Sequence, residues 1–154
     1  MQFSRTTSNN IEGELVAYMG RWVGKEQPDD EPKYKLPKDF NKSLVLFNLH
    51  RVLAARQNEV VLVEGVFDVI HLHELGIPAV ALLGSSISDE QVALLSGVAC
   101  VHVMFDGGAD KARRKVVDRL AQNCLVRSVV LPDGKDPASV EVGYIVGKVP
   151  KFVG

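Results

Sequence analysis

Cysteine is scarce in this 154-residue chain: Cys100 and Cys124 stand far apart, and no C-x-x-C spacing occurs. That excludes a zinc ribbon and a redox dithiol, and leaves two reduced, packed thiols as the expectation. Long hydrophobic runs are also missing. No stretch approaches the ~20 apolar residues that cross a bilayer, and the first residues lack the basic-then-apolar pattern of a secretion signal. A cytoplasmic protein with no membrane partner is expected. Neither sign of charge is in excess; the net charge is −1, so affinity for nucleic acid has to come from a local patch. There is no internal repeat, and 46% apolar with 24% charged residues is ordinary folded usage.

What is present divides into two textures. Residues 1–43 are polar and broken by Gly and Pro. Within them "GELVAYMGRWV" reads as a strand, "GKEQPDDEP" as a turn-rich loop and "PKYKL" as a short returning strand. A β-rich extension is expected there. Residues 44–154 alternate strands and helices. "SLVLFNLHRVLAARQ" reads as helical, with Leu46, Leu49, Val52 and Leu53 near one face. "EVVLVEG" is a strand with no polar alternation, as befits a sheet covered on both faces. "FDVIHLHELG" is a helix closed by Gly76, and "IPAVALLG" a second strand. "SISDEQVALLSG" opens with Ser88 three residues before Gln91, the spacing of a capping box. "VACVHVMFDGG", the basic helix "DKARRKVVDRLAQN" and the strand of "VRSVVLPDGKDP" follow. The expected fold is α/β, a doubly wound and mainly parallel sheet of about four core strands.

In such sheets, ligands gather beyond the carboxyl ends of the strands. Glu64 ends one strand, Asp68 follows one helical turn later, and Asp106 ends another strand. Carboxylates on one lip repel each other unless a cation lies between them. A hard, oxygen-seeking ion such as magnesium suits them. The plainer reading makes Glu64 and Asp106 acids that favour the helix starts behind them. Both remain open on spacing alone.

The ordered motifs "VEGVFDVIHLHELGIPAVALLG", "VMFDGGADKARRK" and "VVLPDGKDP" resemble a toprim domain of the bacterial replicative DNA primase type. "GELVAYMGRW" and "PKYKLPKDFNKSLVLFNLHR" are similar to the primase segment that precedes it. The resemblance implies magnesium or manganese held by Glu64, Asp68 and Asp106, with Glu64 also catalytic. It implies nucleotidyl transfer, the synthesis of RNA primers on a DNA template from nucleoside triphosphates, as a part of DNA replication. It places Arg21, Lys33, Lys35 and Lys42 against template or nucleotide, and a replicative helicase or other replication proteins among the partners.

One departure concerns the metal ligands. Gly108 stands where the family has the second Asp of an Asp-x-Asp, so catalysis is expected to be impaired or partial. Asp110 either replaces that ligand or is an N-cap or first-turn acid of the basic helix, with the second reading preferred. A non-catalytic toprim-like module binding nucleic acid or nucleotide is the alternative. A phosphoacceptor signalling domain ranks low, because "VVLPDG" has no lysine at its strand end. Lys111 and Arg114 lie on a basic helix that is either a solvated face or a phosphate contact. Trp22 and Tyr34 either stack on bases or seal the small sheet. His71 and His73 point about 200° apart on a helix and cannot share an ion, and His102 reads as a satisfied core histidine.

Overall fold

A computed structural model describes residues 3–26, 29–30 and 34–152. Three strands, β1 (Phe3–Asn9), β2 (Leu15–Trp22) and β3 (Tyr34–Lys35), form an antiparallel sheet in that order. β2 and β3 match the sequence reading. β1 was not legible, because "FSRTTSN" offers no apolar alternation; it forms by pairing along nearly the whole of β2.

The second sheet is parallel. It comprises β4 (Glu59–Val63), β5 (Ala79–Ala81), β6 (Cys100–Val103) and β7 (Leu125–Ser128), in the order β5-β4-β6-β7. Its crossovers carry α2 (Val66–Glu74), α3 (Asp89–Leu94) and α4 (Asp110–Leu120), with α1 (Leu49–Ala54) ahead of β4 and the short α5 (Val142–Ile145) after β7. The doubly wound, four-stranded expectation is met. Successive β4 residues serve opposite faces, as the period of a strand requires. Val61 and Val63 join Val69, Leu72, Met104 and Ile145 on one side; Val60 and Leu62 join Leu95, Val103, Phe105 and Leu120 on the other. Met19 of β2 belongs to the first cluster, so the small sheet is packed against the large one through apolar contact.

The long helix expected over residues 43–57 is a correction. A 3-10 turn spans Lys42–Leu44, Phe47 bridges to Ala81 as extended chain, and only Leu49–Ala54 is α-helical. Two side chains impose the break. Asn41 accepts from the Ser43 N–H at 3.1 Å, and Asn48 takes a left-handed φ of 71° while donating to the Ala79 carbonyl at 3.0 Å. Local polar hydrogen bonds of this kind compete with helix.

The capping box at Ser88 and Gln91 forms as its spacing implies. Gln91 does more than cap. Buried at 2% exposure, its amide donates to the Val45 carbonyl at 2.9 Å and the Lys42 carbonyl at 3.1 Å. It therefore ties the turn that carries Lys42 to α3. Gln91→Leu should lower stability by about 1–2 kcal/mol, since it strands buried carbonyls. Urea unfolding checks this, and an unchanged midpoint would show that water replaces the amide without loss.

Candidate active site

A cleft of about 350 Å³ opens between the two sheets, at the carboxyl ends of β4, β5 and β6. Glu64, Asp68, Asp106 and Asp136 lie on one wall, and Arg21 and Tyr34 reach in from β2 and β3. The three acids expected at one lip are thus brought together. Asp136 is a fourth that sequence reasoning missed. Its signal lay in the turn-rich "LPDGKDP", but nothing in that string shows that the loop folds back over the sheet end. Locally Asp136 also works as a turn residue: its carboxylate accepts from the Ser139 N–H at 2.7 Å.

Glu64 leaves β4 where the chain turns into α2, and its Oε1 accepts from the Asp106 N–H at 3.2 Å. Burial raises its pKa above the usual carboxylate value, this hydrogen bond opposes the rise, and the Asp106 charge adds to it. Asp68, on the first turn of α2, is pushed up to about 7. Burial is the main cause, followed by the charges of Asp106, Asp136 and Glu64. Tyr34 is also raised, chiefly by burial, with Arg21 opposing and Asp68, Asp106 and Asp136 adding. The cleft is therefore an electronegative pocket. Among the described residues, no three of these carboxylates bring oxygens within 4.8 Å of one another. At this spacing no more than two of them can ligate one ion directly, and the others reach it only through water.

The glycines of "FDGG" fix the geometry. The Gly107 N–H donates to the Lys135 carbonyl at 2.7 Å, and a Cβ on Gly107 would lie 1.8 Å from the Pro132 oxygen. Close backbone approach holds the Asp106 loop against the Asp136 loop. Gly108 has a φ of 93° with open space around it, so a carboxylate there has room but a strained backbone. Asp110 does not line the cleft. It is the first residue of α4, after the N-cap Ala109, and its carboxylate accepts from Arg113 Nη1. Of the two readings, first-turn acid is the one its contacts match.

Among the basic candidates, Arg21 lines the cleft, with its guanidinium carbon 4.2 Å from the centroid of the Phe67 ring. Lys42 reaches the wall at Gly84, where a Cβ would meet its Nζ at 3.2 Å. Lys35, Lys111 and Arg114 are exposed and do not line the cleft. Lys33 lies outside the described residues. Trp22 donates to the Glu26 carbonyl at 3.1 Å and braces its own turn. His73 stacks edge-on against Phe152, and His102 is buried, as expected for a core histidine.

A family model described as Toprim-like matches residues 61–140. A DNA primase of Geobacillus stearothermophilus is 33% identical over 131 residues, covering 81% of this chain and 22% of that primase. In solved structures, a DNA primase domain from Pseudomonas aeruginosa aligns with TM-score 0.77 and 31% identity, over 90% of this chain and 46% of that one. The DnaG primase catalytic domain bound to ssDNA aligns with TM-score 0.71 and 28% identity, over 89% and 47%. The chain belongs to the toprim family, in its bacterial DNA primase branch. It spans about a fifth of the length of the curated primases it matches. Among the described residues, no helix is long and apolar enough to cross a membrane.

Proposed function

We propose that this chain serves DNA replication in the cytoplasm as the metal-dependent part of a primase, supporting RNA primer synthesis on a DNA template. Residues 1–43 act as a β-rich extension of the toprim-like domain at 44–154. The observation that carries the reading is that four carboxylates and Arg21 line one cleft at the strand ends. Burial, joined by the charges of Asp106, Asp136 and Glu64, pushes Asp68 up to about 7, and a hard cation among these carboxylates would relieve both. Glu64, Asp68 and Asp106 would hold magnesium or manganese, with Asp136 beside them. When bound, the ion would supply charge screening for a triphosphate and activation of an attacking hydroxyl.

The chain's own residues do the rest. Glu64, with its raised pKa, holds or accepts a proton beside the reacting group. Arg21, kept over Phe67, meets a phosphate with little freedom left to lose. Lys42 closes the rim at Gly84. Lys33, Lys35, Lys111 and Arg114 contribute charge along the path of a single strand, such as the one named with the DnaG primase catalytic domain. A replicative helicase and other replication proteins are the partners this role calls for.

Gly108 favours a second reading, a toprim-like module that binds nucleic acid or nucleotide without catalysing. Template-directed ribonucleotide incorporation separates the two. Weak incorporation in magnesium or manganese, lowered at least about 100-fold by Glu64→Gln, supports synthesis. Binding of single-stranded DNA that falls steeply with salt, without incorporation, supports the module. Absence of both would contradict each reading.

A further inference from the structure

At the opposite end of the parallel sheet, β4 and β6 begin side by side, and Glu59 pairs in register with Cys100. His102, two residues on, projects to the same face as Cys100. Among the described residues, Glu59, Cys100 and His102 are the one group of three metal-ligating side chains whose donor atoms all lie within 4.8 Å of one another. His102 Nε2 is 2.8 Å from Glu59 Oε2 and 3.6 Å from Cys100 Sγ. We infer that this trio is a zinc site, separate from the acid cleft, in which Cys100 Sγ, His102 Nε2 and Glu59 Oε2 take one Zn²⁺ and water completes the shell.

The geometry fits the ion. Zinc–sulfur and zinc–nitrogen bonds near 2.3 and 2.0 Å, set at a tetrahedral angle, separate those two ligands by about 3.5 Å. The observed 3.6 Å needs no rearrangement. The carboxylate, now a hydrogen-bond acceptor, has to withdraw by roughly half an ångström to become a co-ligand. Glu59 can do so, since its side chain is 46% exposed while that of His102 is 2% exposed. His102 Nδ1 is buried without a hydrogen-bond partner, so the polar contacts of this buried ring are those of Nε2 with Glu59 and Cys100.

Charge and access agree as well. Glu59 and His102 face a cleft of about 540 Å³ through which a water can reach the fourth position. Arg56, Arg127, Lys148 and Lys151 rim that cleft and would disfavour a bare dication. One thiolate and one carboxylate offset the two charges of zinc, so the rim faces a neutral centre.

Cobalt(II) reports on such a site directly. One equivalent added to the whole chain should produce a thiolate-to-cobalt charge-transfer band that one equivalent of zinc abolishes. Cys100→Ser should remove the band, and Glu59→Gln, an exposed change that leaves the core intact, should weaken zinc binding at least about tenfold. Asp106→Ala should leave the band unchanged. No band with cobalt in excess, or zinc affinity unaltered in both Cys100→Ser and Glu59→Gln, overturns the assignment.

Discussion

Gly107→Ala is expected to lower stability by about 3 kcal/mol or more, roughly 6–12 °C in Tm for a domain of this size. The added Cβ would fall 1.8 Å from the Pro132 oxygen and 2.6 Å from its carbon, and both are backbone atoms that no rotamer can move. Relief requires the Asp106 loop and the 132–136 loop to part, which also breaks the 2.7 Å bond from the Gly107 N–H to Lys135. Gly108→Ala is the natural comparison. It has open space but a positive φ, and should cost about 1 kcal/mol. Thermal unfolding of the two variants checks the pair. Equal, small losses would mean that the loops are not held in contact.

Asp68→Asn should stabilise the metal-free protein at pH 8, by about 2–3 kcal/mol once partial exposure is discounted. Burial and three neighbouring carboxylates push the Asp68 carboxyl up to about 7 in the folded state, against about 4 in an unfolded chain. Below pH 4 both states hold the proton, and the stability that neutral Asp68 confers is complete. As pH rises through about 7 the folded state must surrender the proton, and that stability is lost. Asparagine keeps the shape and never ionises. Urea unfolding in the presence of a chelator should therefore show the two proteins alike at pH 4 and apart at pH 8. Equal midpoints at pH 8 would show that the cleft does not strain this carboxylate.

Both expectations rest on parts of the fold that were unequally legible in the sequence. β4 and β6 could be read because "EVVLVEG" and "VACVHVMF" are apolar without alternation, which only a doubly covered sheet requires. Glu64, Asp68 and Asp106 could be read because each follows directly from where such a strand or its helix must lie. Asp136 could not. Its place depends on a loop returning across the sheet end, held by the contact of Gly107 with Pro132, and no periodicity records a long-range contact of that kind. The helix expected over residues 43–57 failed for a related reason. Leu46, Leu49 and Val52 are buried as a helical face would be, but Asn41 and Asn48 divert the backbone through hydrogen bonds that residue spacing does not reveal. β1 is polar and is held by its pairing with β2 rather than by its own pattern. Asp110 turned on a partner one helical turn away, Arg113, which also donates to Ser128 Oγ at 2.9 Å.

Manganese titration of the whole chain, followed by electron paramagnetic resonance or calorimetry, addresses the acid cleft most directly. One ion should bind, with affinity that rises from pH 6 to pH 8 as the ion takes the place of the proton on Asp68. Asp106→Ala should weaken binding at least about tenfold, while Asp110→Ala, whose carboxylate is turned to Arg113, should leave it unchanged. Equal affinity in wild type and Asp106→Ala, or a loss on Asp110→Ala as large as that on Asp106→Ala, would contradict the assignment of the cleft.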